Sequence, residues 1–323
     1  MRRLCLLILA LTLASCAVPP PGSPGAERFR FALVGDAPYH SAEIPVWNAL
    51  LARLAGEGHA FLLHAGDIKG GSEPCSDALL AERIDQLRLP AVPLLLALGD
   101  NEWTDCHRKA AGSHSPLERL SVLRRLSHAD PQRSLGARPM AVQTQALSGG
   151  LPEHQAFEWR GVRVASLHVV GSRNGLEPWG DIGDGVADSR ERPRADRIAE
   201  VRARDAAVNA WLRLNVARAA DPEVKALVLL FQANPGFEAP PGSPAREGFE
   251  PFLAELRSLL VPLRKPVLLA HGDHHQYLVD RPWSEAPWVQ RVQTWGSPIV
   301  GGVRIRVIEG EPLRFELESV LQR

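Results

Sequence analysis

The run Ala60-Phe61-Leu62-Leu63-His64-Ala65-Gly66-Asp67-Ile68-Lys69-Gly70-Gly71 decides how the chain is read. A short apolar segment ends in Gly-Asp and passes into a glycine turn. This is the pattern of a buried strand that delivers one carboxylate to a tight loop at its carboxyl end. In open α/β sheets, ligand sites are built along that edge. The same phrase stands at Phe31-Ala32-Leu33-Val34 before Gly35-Asp36, and at Leu94-Leu95-Leu96-Ala97-Leu98 before Gly99-Asp100. The three copies lie about 30 residues apart, the spacing of a βαβ unit. Asp36, Asp67 and Asp100 are therefore expected side by side. Three such carboxylates repel one another unless a positive charge sits among them, and a metal ion supplies it most simply.

Working outward, residues 43–54 carry Trp47, Leu50, Leu51 and Leu54 at helical spacing, and a second helix is expected over 77–87. Together with the three strands they form a right-handed, parallel βαβαβ unit. The polar stretch Asn101-Glu102-Trp103-Thr104-Asp105-Cys106-His107-Arg108 is long enough to fold over the strand ends, and a helix follows over 116–126. The second half opens on a hairpin around Arg160-Gly161, a two-residue turn. It continues through His168-Val169-Val170-Gly171-Ser172-Arg173-Asn174-Gly175 to a Gly/Asp-rich loop, whose Asp181, Asp184 and Asp188 fit no calcium-binding spacing and read as solvated. A long helix spans 196–217. The apolar run 224–231 ends in Gln232-Ala233-Asn234-Pro235, a helix spans 249–260, and strand 267–270 ends in His271-Gly272-Asp273-His274-His275. Three late strands, 288–295, 303–308 and 313–317, close an α/β chain with no internal repeat.

The first residues belong to export. Arg2-Arg3, the apolar run 4–13 and Leu13-Ala14-Ser15-Cys16 make residues 1–15 a signal peptide. Leu-Ala-Ser-Cys resembles a bacterial lipobox, which makes Cys16 the lipid-bearing residue. The alternative is an ordinary cleaved leader that contains a cysteine. Residues 16–27, rich in proline and glycine, read as an extended tether, and residues 28–323 as the folded domain. The expected location is the periplasmic side of the cell envelope, with the outer membrane preferred and the lipid as the one membrane contact. Without Arg2 and Arg3, 35 basic residues face 37 acidic ones, which leaves no positive field for nucleic acid. Cys75 and Cys106 are the even pair left in an oxidising compartment. A disulfide between two site-forming loops is expected; free thiols or metal ligands are the alternatives.

The ordered motifs Gly35-Asp36-Ala37-Pro38, Gly66-Asp67-Ile68-Lys69, Gly99-Asp100-Asn101-Glu102, Gln232 and Gly272-Asp273-His274-His275 resemble those of the calcineurin-like metallophosphoesterases. The resemblance runs from about Phe29 to the end of the chain. It implies a four-layer α/β/β/α sandwich with a two-metal site at the strand ends. It also implies hydrolysis of a small phosphate monoester or diester by a metal-activated water. Residue by residue it assigns metal-binding roles to Asp36, Asp67, Asp100, Gln232, Asp273 and His275, with Asp67 bridging.

Several positions depart from the family pattern. Pro38 stands where the family has a ligating His, Asp100 where it has Asn, and Asn101 where it has the His that protonates the leaving group. Gln232, or the nearby Asn234, and Asp273 each replace a ligating His. The donor set is thereby shifted toward oxygen, which favours Mg²⁺, Mn²⁺ or Ca²⁺ over Zn²⁺ or Fe. Asn101, at the acid's place, is a catalytic candidate together with His168 and His107, and His271 and His274 are further candidates for the missing general acid. Arg108, Arg173 and Asn174 are candidates to bind the substrate anion. A scaffold that holds a metal or ligand without turnover is the competing expectation.

Overall fold

The structure is a computed structural model describing residues 25–322. The signal peptide, the lipidation of Cys16 and nearly all of the tether fall outside the described residues. Strands β1 (Glu27–Val34), β2 (Leu62–His64) and β3 (Leu94–Leu96) run parallel, joined by helices α1 (Ile44–Gly56) and α2 (Asp77–Arg88). The apolar stripe expected on α1 is buried at Trp47, Leu50, Leu51 and Leu54. The start of α2 is fixed by Ser76, whose hydroxyl accepts from the Leu79 N–H at 3.2 Å, an N-cap of the usual kind. Two late strands, β11 (Gly301–Ile308) and β12 (Arg314–Leu321), extend the sheet antiparallel on the other side, in the order β12-β11-β1-β2-β3.

The second sheet has seven strands. The hairpin β5 (Gln155–Trp159) and β6 (Val162–Ser166) is followed by β7 (Ala226–Leu230), β8 (Val267–His271) and β10 (Val289–Gln293), with β6, β7, β8 and β10 parallel. Two short edge strands, β4 (Gln143–Thr144) and β9 (Leu278–Asp280), have no sequence signal strong enough to announce them. Helices α3 (Pro116–Ser127), α5 (Ala195–Ala220) and α6 (Glu250–Leu263) complete the outer layers around a one-turn element, α4 (Gly171–Gly175). Within α4, Ser172, Arg173 and Asn174 have φ of 48°, 57° and 55°, so the turn winds left-handed. L-residues disfavour that conformation, and its contacts with the site explain its presence here.

Strand alternation sorts the core into three layers. Phe31, Leu33, Leu63 and Leu95 meet Val164, Val228 and Leu268 between the two sheets. Ala32, Val34, Leu62 and Leu96 face α1, α2 and α3, whereas Leu227, Leu229 and Leu269 face α5 and α6. The architecture is the expected four-layer α/β/β/α sandwich. Cys75 and Cys106 are disulfide-bonded, with Cα atoms 5.7 Å apart, and tie the loop after β2 to the loop after β3. Among the described residues no helix is long and apolar enough to cross a membrane.

Candidate metal centre

Parallel register aligns the ends of three strands: Val34 pairs with His64, and His64 with Leu96. The Gly-Asp pairs that follow bring Asp36, Asp67 and Asp100 to one rim, all buried. The second sheet brings Gln232 after β7 and Asp273 and His275 after β8 to the same place. Asp36, Asp67, Asp273 and His275 all have left-handed backbones, with φ of 51°, 54°, 86° and 58°. Such positions are costly and cluster where a site over-determines them. A side chain at Gly99 would overlap the Asp67 carboxylate, and one at Gly272 the Asp36 carboxylate, so both positions need glycine.

Hydrogen bonds link the two halves of the pocket. Asp36 Oδ1 accepts from the Asp273 N–H at 2.9 Å, and Asp67 Oδ1 from the Asn101 N–H at 3.1 Å. The Gln232 amide nitrogen donates to Asp67 Oδ2 at 3.1 Å, and its oxygen accepts from the Gly171 N–H at 2.6 Å. A backbone N–H can only donate, so the Gln232 oxygen is committed to Gly171 and the NH₂ faces the carboxylates. The Ser172 hydroxyl on α4 lies 2.7 Å from Asp100 Oδ2 and 2.8 Å from Asp105 Oδ1. His275 Nδ1 stands 2.6 Å from the Ser297 carbonyl, an acceptor only, which puts the ring proton on Nδ1 and leaves the Nε2 lone pair facing the pocket. The Tyr39 hydroxyl sits among Asp67 Oδ2 at 3.0 Å, Asn101 Nδ2 at 2.9 Å and His275 Nε2 at 3.2 Å.

The pocket is heavily acidic. Glu102 and Asp105 are also buried within it. Burial, reinforced by Asp273, Asp100 and Glu102 and opposed by the Asp273 N–H, holds the Asp36 carboxyl well above its ordinary range. Burial and the charges of Asp100, Glu102, Asp36 and Asp273 do the same to Asp67. Burial is also the main cause that pushes Glu102, Asp105 and Asp273 up to about 7. Against these carboxylates stand two cations. Lys69 is fully buried and donates to the carbonyls of Gly70 and Glu73, and Arg108 pairs with Asp105 at 2.7 Å. Lys69 Nζ is spent on backbone carbonyls and makes no ion pair with the carboxylates of the pocket.

The remaining candidates divide by location. Asn101 lies inside the pocket, and Arg108 stands at its mouth with its side chain 43% exposed, enough to reach a ligand. His168 is buried away from the carboxylates, with Nδ1 on Glu153 at 2.7 Å and its ring edge-on to Trp103. His107 is half-buried among Arg108, Asp181, Asp188 and Arg197, and makes no contact with the carboxylates of the pocket. Arg173 is engaged by Glu177 and Glu247, and Asn174 by Asp205, Arg204 and the Gly248 carbonyl. Of the two residues expected to bind the substrate anion, Asn174 is buried in the fold, while Arg173 is part-exposed and held by the more exposed Glu177 and Glu247. His271 is buried and stacked on Phe231, and His274 is exposed and meets Asn234. Asn234 itself holds Asp273 Oδ2 through its backbone N–H at 2.8 Å. Sequence reading missed Tyr39, Lys69, Glu102, Asp105 and Ser172. Of these, Glu102 and Asp105 lie in the quoted polar loop, where their burial was the missing signal.

The fit of a metal can be tested on these groups. Among the described residues no three His, Cys, Asp or Glu side chains already converge on a point that a metal ion could occupy. The chemistry of the donors is nevertheless that of a cation pocket. Asp36 Oδ2 is buried with no hydrogen-bond partner, and His275 offers a lone pair 3.9 Å from the other Asp36 oxygen. Without a cation, burial biases these carboxyls toward their protonated forms. In kind, the carboxylates of Asp36, Asp67 and Asp273 and the Nε2 lone pair of His275 are donors suited to one hard cation, but they are not assembled around a common point. They do not fit a second at Gln232, which offers a donor where a ligand is required.

No family model matches the sequence, and no curated protein matches it significantly. Solved structures match by fold. A dimetal phosphatase from Danio rerio superposes with a TM-score of 0.52 at 12% identity, over 92% of this chain and all of its own. A Thermus thermophilus protein gives 0.48 at 12% identity over 91% of this chain and 99% of its own. A 5'-nucleotidase from Candida albicans gives 0.44 at 13% identity over 91% of this chain and 52% of its own. At 12% identity the likeness to the Danio rerio dimetal phosphatase establishes the fold alone, a four-layer sandwich of the metallophosphoesterase type.

Proposed function

We propose that this protein is a divalent-cation-dependent hydrolase of small phosphate esters or diesters, exported and held at the periplasmic side of the cell envelope by lipid on Cys16. One observation carries the reading: the buried carboxylates of Asp36, Asp67 and Asp100 meet the half-buried Asp273 of the second sheet at the strand ends, and Asp36 Oδ2 has no partner there. The fold shared with a dimetal phosphatase supports a phosphate ester as the substrate. Asp36, Asp67, Asp273 and His275 would hold the cation, with Asp100 beside them, and their oxygen-rich chemistry favours Mg²⁺, Mn²⁺ or Ca²⁺. When bound, such a cation lowers the pKa of water and neutralises phosphoryl charge.

The chain's own groups do the rest. His275 is kept in the ligating tautomer by Ser297, and Asn101 turns its backbone N–H to Asp67. Arg108, at the mouth, offers a guanidinium to an anionic ester while Asp105 holds it in place. Purified protein with added Mn²⁺ or Mg²⁺ should cleave an aryl phosphodiester, and Asp67→Asn should abolish that turnover. Turnover that survives in Asp67→Asn removes this assignment. A second reading, cation or ligand binding without turnover, is favoured by the amide at position 101 and by the engagement of His168 with Glu153. A stoichiometric bound cation with no hydrolysis would select it.

A further inference from the structure

The Tyr39 hydroxyl touches two of the groups assigned above to the cation, and its surroundings fix how it does so. Asn101 Nδ2 donates to the phenol oxygen at 2.9 Å, which leaves the single phenol proton for Asp67 Oδ2 or for the lone pair on His275 Nε2. The ring is held as well. It packs edge-on against His275 with centroids 5.0 Å apart, and a side chain at Gly70 would crowd it at 3.3–3.4 Å. The Tyr39 backbone N–H is anchored on Glu43 at 2.8 Å. Metal–oxygen and metal–nitrogen bonds to the cations in question span roughly 2.0–2.6 Å. His275 Nε2 has one lone pair and Asp67 Oδ2 already accepts from Gln232, so a cation held by these two atoms at such lengths competes with the phenol hydrogen bond for them.

We propose that Tyr39 keeps the cation's place: in the cation-free protein its hydroxyl donates its one proton to Asp67 or His275, and it gives up that bond when a cation binds them. This rests on the cation reading of the pocket. Tyr39 is then a positioning residue that sets how much cation is needed to fill the centre, because filling it breaks the phenol's hydrogen bond. Removing the hydroxyl while keeping the ring should therefore tighten cation binding. One net hydrogen bond of about 1 kcal/mol corresponds to roughly fivefold in affinity.

The test uses the protein with Mg²⁺, which is diamagnetic. The chain has two tyrosines, and the other, Tyr277, stacks on Trp295 outside the pocket, so ring-labelled tyrosine gives two assignable NMR signals. Saturating Mg²⁺ should move the Tyr39 signal and leave that of Tyr277 in place. Calorimetry should show Tyr39→Phe binding Mg²⁺ about fivefold more tightly than wild type. A Tyr39 signal that stays put at saturation overturns the proposal, as does equal or weaker binding by a folded Tyr39→Phe, which would make the hydroxyl a bystander or a ligand. Should Tyr39→Phe fail to fold, the wild-type NMR titration decides alone. If neither protein binds Mg²⁺ at millimolar concentration, the cation reading itself falls and takes this proposal with it.

Discussion

Replacing Asp273 by asparagine should stabilise the cation-free protein while spoiling the centre. Burial and the nearby Asp100 charge lift the Asp273 carboxyl from 3.8 to about 7. A shift of that size corresponds to about 4 kcal/mol of bias toward the protonated form. Because the folded-state value is raised, folding carries no ionisation penalty below about pH 4. The penalty grows as the pH climbs and is complete above about 7. Asparagine carries no charge to lose. Its oxygen can still accept from the Asn234 N–H, now 2.8 Å from Asp273 Oδ2, and it tolerates the left-handed backbone at φ 86°.

The remaining carboxylates will redistribute their protons, so the expected gain at pH 8 is about 2–4 kcal/mol, shrinking toward zero near pH 4. Buried histidines slope the other way: His64, His154 and His271 are pulled down by burial to about 3 and His128 to about 4, so they destabilise the fold below the ordinary histidine range. They are common to both proteins and cancel in the difference. Urea denaturation of wild type and Asp273→Asn in EDTA, from pH 5.5 to 8, measures it. With saturating Mg²⁺ the order should reverse, since only wild type gains full ligand stabilisation. An Asp273→Asn protein no more stable than wild type at pH 8 in EDTA would refute the view that this carboxyl carries unfavourable charge.

Three further outcomes are expected. Replacing both Cys75 and Cys106 by serine opens a link across 31 residues and should cost about 3–4 kcal/mol on the chain-entropy model, read as a lower urea midpoint; an unchanged midpoint would count against it. Ser172→Ala removes the hydroxyl shared by Asp100 and Asp105 and should cost about 1–3 kcal/mol in the same assay, whereas a neutral result would mean that water replaces it. Arg108→Ala should raise KM for an anionic aryl phosphodiester about tenfold, the equivalent of roughly 1.4 kcal/mol, and change kcat less. A loss confined to kcat would deny Arg108 its binding role.

How much of this was legible in the sequence depended on the kind of signal. An apolar run closed by Gly-Asp states both burial and position, so the rim formed by Asp36, Asp67 and Asp100 could be read before any fold was known. Parallel register then left little freedom in where those residues lie. Tyr39 and Lys69 could not be read the same way, because their importance comes from partners 28 to 236 residues away and from complete burial of a lysine. The surroundings of Arg173 and Asn174 could not be read either. Their residue types suit an anion, but a left-handed turn buries Asn174 and brings Arg173 to Glu177 and Glu247, and no glycine at 172–174 gave notice of that turn.

The amide at position 232 has a consequence for anyone trying to rebuild a two-ion centre. A neutral imidazole has one lone pair. Spent on the Gly171 N–H that Gln232 now satisfies, it leaves the other ring nitrogen protonated and unable to coordinate. Aimed instead at a metal, it strands that amide hydrogen in a dry interior. Restoring histidine there is therefore a two-site engineering problem, in which the backbone of the neighbouring left-handed turn must be refitted along with the side chain.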